Sequence, residues 1–148
     1  MDRNEFIEHC NDKLKLIRTE YGYSQDKMSV IMGMSKKTLV EIEKGRSTLG
    51  WSGSVTLCTI FQNSEIISAT FGGKPTDIIM ALAFNGKEPY EIYKKTLGGK
   101  VWWQDIENGK NGKIQQNIIS RHYRILDNDD RRVCSSFDFE EIKEIFYA

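Results

Sequence analysis

The side chains best suited to bond-making chemistry are few: His9 and His122, and the three cysteines Cys10, Cys58 and Cys134. Neither histidine stands at ligand spacing from a cysteine, so no metal site is expected. No glycine loop ending in Lys-Ser/Thr and no nucleophile elbow is present. Gly72-Gly73-Lys74 lacks the first context. The run Asp127-Asn128-Asp129-Asp130-Arg131-Arg132 lacks the glycine and distal glutamate of a calcium loop. The sequence therefore predicts neither an enzyme nor a cofactor. What remains is recognition by charge and hydrogen bonding. Lys36, Lys37, Val40, Glu41 and Lys44 fall on one helical face opposite Leu39 and Ile42, with Gln25 at the start of the preceding helix. Such a face is the right length to enter a major groove. A helix N-terminus carrying a side-chain amide suits a phosphate.

The elements that must position those residues are short helices. Phe6, Ile7, Cys10, Leu14, Ile17 and Tyr21 recur at steps of three and four, and Gly22 closes that helix. Ser24 caps a second carrying Met28, Ile31 and Met32, in which the small Ser29 lets the next helix cross closely. Gly33 breaks it, and Ser35 caps a third, Lys36 to Lys44, ended by Gly45. A fourth is expected near Trp51–Phe61, and a fifth from Ser64 to about Phe71. Two short helices joined by a glycine turn, the second opening on basic residues, make a helix-turn-helix pattern.

Residues 13–61 resemble the Cro/C1-type helix-turn-helix domain of phage repressors, the XRE family. The resemblance rests on Tyr23-Ser24-Gln25, Met28-Ser29, Met32-Gly33-Met34-Ser35, Thr38-Leu39 and Ile42-Glu43-Lys44-Gly45-Arg46, in order and without a gap. It covers about a third of the chain. It implies a five-helix bundle that binds a two-fold symmetric operator as a homodimer. Lys36, Lys37 and Glu41 would read bases, and Gln25, Lys44, Arg46 and Thr48 would hold the DNA backbone. Three departures stand out. Val30 and Ile31 replace charged residues, which suggests that the second domain or a partner subunit covers them. Leu49 replaces the customary proline. Gly50, Gly53 and Ser54 weaken the start of the fourth helix.

Gly72-Gly73-Lys74-Pro75 is the best boundary, giving a DNA-binding domain at 1–73 and a second domain at 74–148. In the latter, Pro75 opens a helix through Phe84 and Glu88–Leu97 reads as another. Three strands follow: Lys100–Glu107, Ile114–Leu126 and Arg131–Ser136, separated by turns at 108–112 and 127–130. Asp138 and Glu141 make a capping box for a closing helix that buries Phe139, Ile142 and Phe146, with Phe137 stapled onto Ile142. The expected fold is an all-α five-helix bundle followed by a small α+β domain with a three-stranded antiparallel meander. Adjacent Trp102 and Trp103 point to opposite strand faces, one into the core. His122 is expected to be packed or interfacial. Arg121, Arg124, Arg131 and Arg132, beside Asp127, Asp129 and Asp130, read as a self-paired turn rather than a DNA-touching wing.

Twenty-one basic side chains balance 21 acidic ones across 148 residues. Residues 13–46 alone hold eight basic against four acidic, and the local field is what a phosphate meets. The N-terminus is polar and acidic rather than a secretory signal, and no apolar run approaches the roughly 18 residues of a membrane span. Three cysteines without paired spacing argue against a disulfide framework. These features predict a soluble cytoplasmic protein, and the resemblance implies a transcription regulator, a repressor, whose partner is double-stranded DNA. Two other readings stay open. The second domain can be the working part of an autoregulated protein inhibitor, of the antitoxin or anti-defence kind. It can also be a sensor for a small-molecule effector.

Overall fold

Asp2, Ser24, Ser35, Ser64 and Asp138 each sit in extended backbone just before a helix, and each side chain accepts an N–H from that helix's first turn. These caps satisfy donors the helix cannot pair internally, and they fix where five of the helices begin. The computed structural model describes residues 1–84 and 102–148. Six helices come first: α1 (Arg3–Glu20), α2 (Gln25–Met32), α3 (Lys36–Glu43), α4 (Gly50–Ile60), α5 (Glu65–Phe71) and α6 (Thr76–Phe84). Then come β1 (Trp103–Gly109), β2 (Gly112–Asn117), β3 (Tyr123–Asp127), β4 (Arg132–Ser136) and α7 (Phe139–Tyr147). The chain forms two compact units, Met1–Ile92 and Tyr93–Ala148.

The helical unit closes on one core. The α1 stripe buries Phe6, Cys10, Leu14 and Ile17, against Met28 of α2, Leu39 and Ile42 of α3, and Leu57 of α4. Tyr21, at the stripe's end, is 38% exposed and stacks on Tyr23 instead. The unit holds a sixth helix beyond the five expected. The anticipated boundary after residue 73 falls inside this unit, between α5 and α6. Gly72, with φ at +77°, caps α5, and Pro75 is buried. Leu82 then joins the helical core with Ile78 and Ile79 beside it. The Arg3 guanidinium donates to the carbonyls of Leu82 and Ala83, both at 3.2 Å, tying α6 to the start of α1.

The second unit is a four-stranded antiparallel sheet in the order β1-β2-β3-β4, with α7 against β3 and β4. Four strands replace the three expected, because the run Ile114–Leu126 is two strands and a turn. Asn117 makes that turn: its Oδ1 accepts the N–H of Ile119 at 2.9 Å and of Ser120 at 3.0 Å. Arg121 completes it at a φ of +65°. Ile118 and Ile119 are exposed, so an apolar turn reads from sequence as more strand. The 108–112 hairpin forms as expected. A Cβ on Gly112, whose φ is +150°, would collide with the Leu126 carbonyl oxygen.

Ile114, Ile125 and Ile142 make the small second core, with Tyr123, Cys134, Phe139 and Phe146 half-buried around it. Phe137 is 76% exposed and meets His122, so it does not staple Ile142. The capping box is relayed. Asp138 caps Glu140 and Glu141, while Ser136 Oγ accepts the Asp138 N–H at 3.0 Å and donates to Glu141 at 2.6 Å. Neither indole is core. Trp102 is 45% exposed, and Trp103 is half-buried with the Arg124 guanidinium 3.7 Å over its ring. The helix expected at Glu88–Leu97 lies outside the described residues.

Candidate nucleic-acid interface

Gly33, at φ +71° and ψ +34°, takes a left-handed conformation that other residues resist, and it accounts for the sharp exit from α2. Its N–H and that of Met34 return to carbonyls of α2, and Ser35 then caps α3 through the Thr38 N–H at 3.1 Å. Leu39 and Ile42 are 0% and 2% exposed, so burial of one face fixes the rotation of α3. Lys36, Lys37 and Lys44 are exposed on the far side, with Val40 and Glu41 half-buried. Ser29 is 5% exposed, its hydroxyl donating to the Asp26 carbonyl at 2.7 Å.

The charges on this face are loosely held. Lys36 Nζ lies 3.3 Å from Asp26 with both side chains more than half exposed, a pair worth little in water. Glu41 faces Arg46 at 4.0 Å rather than pairing with Lys37. Arg46 is 67% exposed. Lys36, Lys37 and Arg46 can thus turn to a ligand at small cost.

Beneath the face lies a bracket that the sequence reading missed. Glu43, 5% exposed at the end of α3, takes Arg18 Nε of α1 at 2.7 Å and Gln25 Nε2 of α2 at 2.9 Å. Arg18 also donates to the Tyr23 carbonyl at 3.0 Å. Three helices therefore meet on one carboxylate. One amide hydrogen of Gln25 thereby holds α2 to α3. The signal was present: Arg18 and Glu43 each follow a buried isoleucine, at the edge of an apolar face.

A second brace starts α4, which has no side-chain cap of its own. Asn11 of α1 accepts the Leu49 N–H at 2.8 Å and donates to Thr48 Oγ1 at 3.0 Å. Thr48 Oγ1 also accepts the Gly50 N–H at 3.1 Å, leaving its hydroxyl hydrogen to donate. Two of the departures from the family pattern compensate each other here. A Cβ on Gly53 would sit 3.1 Å from that of Leu49, so the glycine makes room for the leucine. Ile31 is half-buried on the helical core, whereas Val30 is 80% exposed. A groove of about 430 Å³ runs between α1 and the turn after α3. Its Glu8, Asp12 and Glu43 outnumber Lys15, an unsuitable lining for phosphate.

Part of the chain is similar to a known protein. Over 92 residues the chain is 33% identical to a candidate HTH-type transcriptional regulatory protein of Pyrococcus horikoshii. The match takes in 60% of the chain but 27% of that relative's length. No family model matches the chain. No solved structure matches it. Among the described residues no helix is long and apolar enough to cross a membrane.

Around the last hairpin, Arg131 pairs with Asp127 at 2.9 Å and with Asp129 at 3.3 Å, while Lys113 meets Asp130 at 3.4 Å. Backbone N–H groups of Arg131 and Asp129, with the Arg131 side chain, hold the Asp127 carboxyl below its ordinary range. Arg124 turns elsewhere, donating twice to Gln115 Oε1 at 2.8 and 2.9 Å, and Gln115 donates to Asp105 at 2.7 Å.

Proposed function

We propose that the chain is a sequence-specific DNA-binding transcription regulator of Cro/C1 type, a repressor that occupies a palindromic operator as a homodimer. The observation that carries this reading is the orientation of α3. Its apolar back is buried, its lysine-tipped face is exposed, and the Gly33 turn and Glu43 bracket hold it against α2. Likeness to a relative named as an HTH-type regulator supports it. Lys36, Lys37 and Glu41 read base edges; Gln25, Lys44, Arg46 and Thr48 hold phosphates. Repression follows from occupying DNA that a polymerase needs, with no bond made or broken.

The second unit supplies dimerisation, signal reception or both. Its exposed apolar side chains support contact with protein. Ile118 and Trp102 are joined by a backbone bond of 2.8 Å, Ile119 is 70% exposed, and Phe137 stands beside His122. The same surface favours, as second reading, a protein inhibitor whose helical unit regulates its own gene.

Selection of bound duplexes from a random pool by the full chain tests the proposal. A two-fold symmetric consensus is expected. Lys36→Ala should cost roughly 1–3 kcal/mol and relax preference at one or two base pairs. Gln25→Ala should weaken all sequences alike. No duplex preference at low salt overturns the reading.

A further inference from the structure

The two cysteines that sequence spacing leaves unrelated meet in the centre of the helical unit. Cys10 of α1 and Cys58 of α4, 48 residues apart, hold their sulfurs at 3.8 Å. They are 1% and 0% exposed, and both are free thiols. Ser54 lies one turn before Cys58, 0% exposed, its hydroxyl without a hydrogen-bond partner of good geometry. It sits near enough to Cys10 to favour the thiolate there. A small polar cluster thus interrupts an apolar core, where unpartnered polar groups are costly.

Either sulfur can donate to the other across this contact. With Cys58 as donor, the shared hydrogen lowers the pKa of Cys10 while burial opposes it, and the same bond, then burial, pushes the Cys58 thiol up. In that arrangement Cys10 is the nucleophile and Cys58 the proton donor.

We propose that Cys10 and Cys58 are a peroxide-oxidised dithiol that closes into a disulfide tying α1 to α4. The Cys10 thiolate attacks one oxygen of hydrogen peroxide, the O–O bond breaks, and the departing hydroxide takes the Cys58 proton to become water. Cys10 is then a sulfenic acid. The Cys58 thiolate attacks its sulfur, the S–O bond breaks, and that hydroxide leaves as water with the proton Cys10 first gave up. Two thiols and one peroxide yield one disulfide and two waters. The sulfurs must close to about 2.05 Å, a small shift of two packed helices. Peroxide is small enough to enter through local openings of the unit. Cys134, half-exposed in the second unit, is the internal comparison. The proposal does not depend on the DNA reading, and neither do its tests.

The experiment treats the full chain with graded hydrogen peroxide, alkylates the remaining thiols after denaturation, and maps the peptides by mass. The expected product has lost two hydrogens within one chain, with Cys10 joined to Cys58. Its melting temperature rises by about 10–20 °C, as closure of a long loop predicts, and dithiothreitol reverses the rise. Cys134→Ser keeps the gain; in Cys58→Ser it disappears and Cys10 stops at the sulfenic acid. Cys10 and Cys58 both alkylated in full, at doses that oxidise Cys134, would overturn the proposal. So would a disulfide found only between chains. Both of these outcomes are read on the unaltered protein, so neither depends on a variant folding.

Discussion

The helical unit and the sheet unit are stabilised by different means. Among the described residues the first buries thirteen apolar side chains to 8% exposure or less, drawn from the span of α1 to α6. The core cluster of the second holds three among the described residues, Ile114, Ile125 and Ile142, and the unit relies on strand pairing and half-covered aromatic rings. Each fully buried aliphatic contributes about 1.5–3 kcal/mol relative to exposure, so the helical unit has far more to lose and more to share the loss. The residues proposed to meet DNA sit on that firmer unit. A recognition surface that must hold its shape is better carried by a core with many contributors than by one with few.

Single substitutions can break this comparison. Phe6 packs on Trp51 and Phe71 at 5.6 and 5.2 Å, and Phe6→Ala should cost about 3–5 kcal/mol in the helical unit. Ile142→Ala should cost about 2–5 kcal/mol in the sheet unit. Hydrogen exchange read by mass should show each variant losing protection in its own unit; joint loss in both would show that the units do not unfold separately. Glu43→Ala strands Arg18, 13% exposed, without its carboxylate and should cost about 2–3 kcal/mol by urea denaturation. Exchange should then rise at α1, α2 and α3 together. Ser35→Ala removes the α3 cap and should cost about 1 kcal/mol, measurable in the same way.

The smallest effect belongs to the Asp127 turn. Its carboxyl titrates below the ordinary 3.8 because the folded turn favours the ionised form. The stabilisation is therefore present above the unfolded value and lost as pH falls through the lower, folded one. NMR titration of the side-chain carboxyl should place the Asp127 midpoint below the ordinary 3.8. A midpoint at the ordinary value would mean the turn does not hold in solution.

The helical unit is largely legible in the sequence because its signals are local. Ser24, Gly33 and Ser35 lie within a few residues of the helix ends they define, and the α1 stripe needs only its own spacing. The sheet unit is less so. Ile118 and Ile119 look like strand residues, and only the Asn117 side chain bending back to the next amides shows the turn between β2 and β3. The place of α6 is not legible either: two glycines and a proline mark a turn equally well within a unit and between units. Leu82 and Arg3, 79 residues apart, decide which it is.

The amino-acid order alone therefore determined which of the described segments become helices, where most of them start, and which face of α3 carries lysines. Each of these depends on neighbours three or four residues away. Tertiary structure decided the Arg18–Glu43–Gln25 bracket, the Asn11 brace on Thr48 and Leu49, and the meeting of Cys10 with Cys58. Those side chains are 18 to 48 residues apart, and no spacing rule links them. They come together only because burying the apolar faces of α1 to α4 on one another sets where every neighbouring polar group must find its partner.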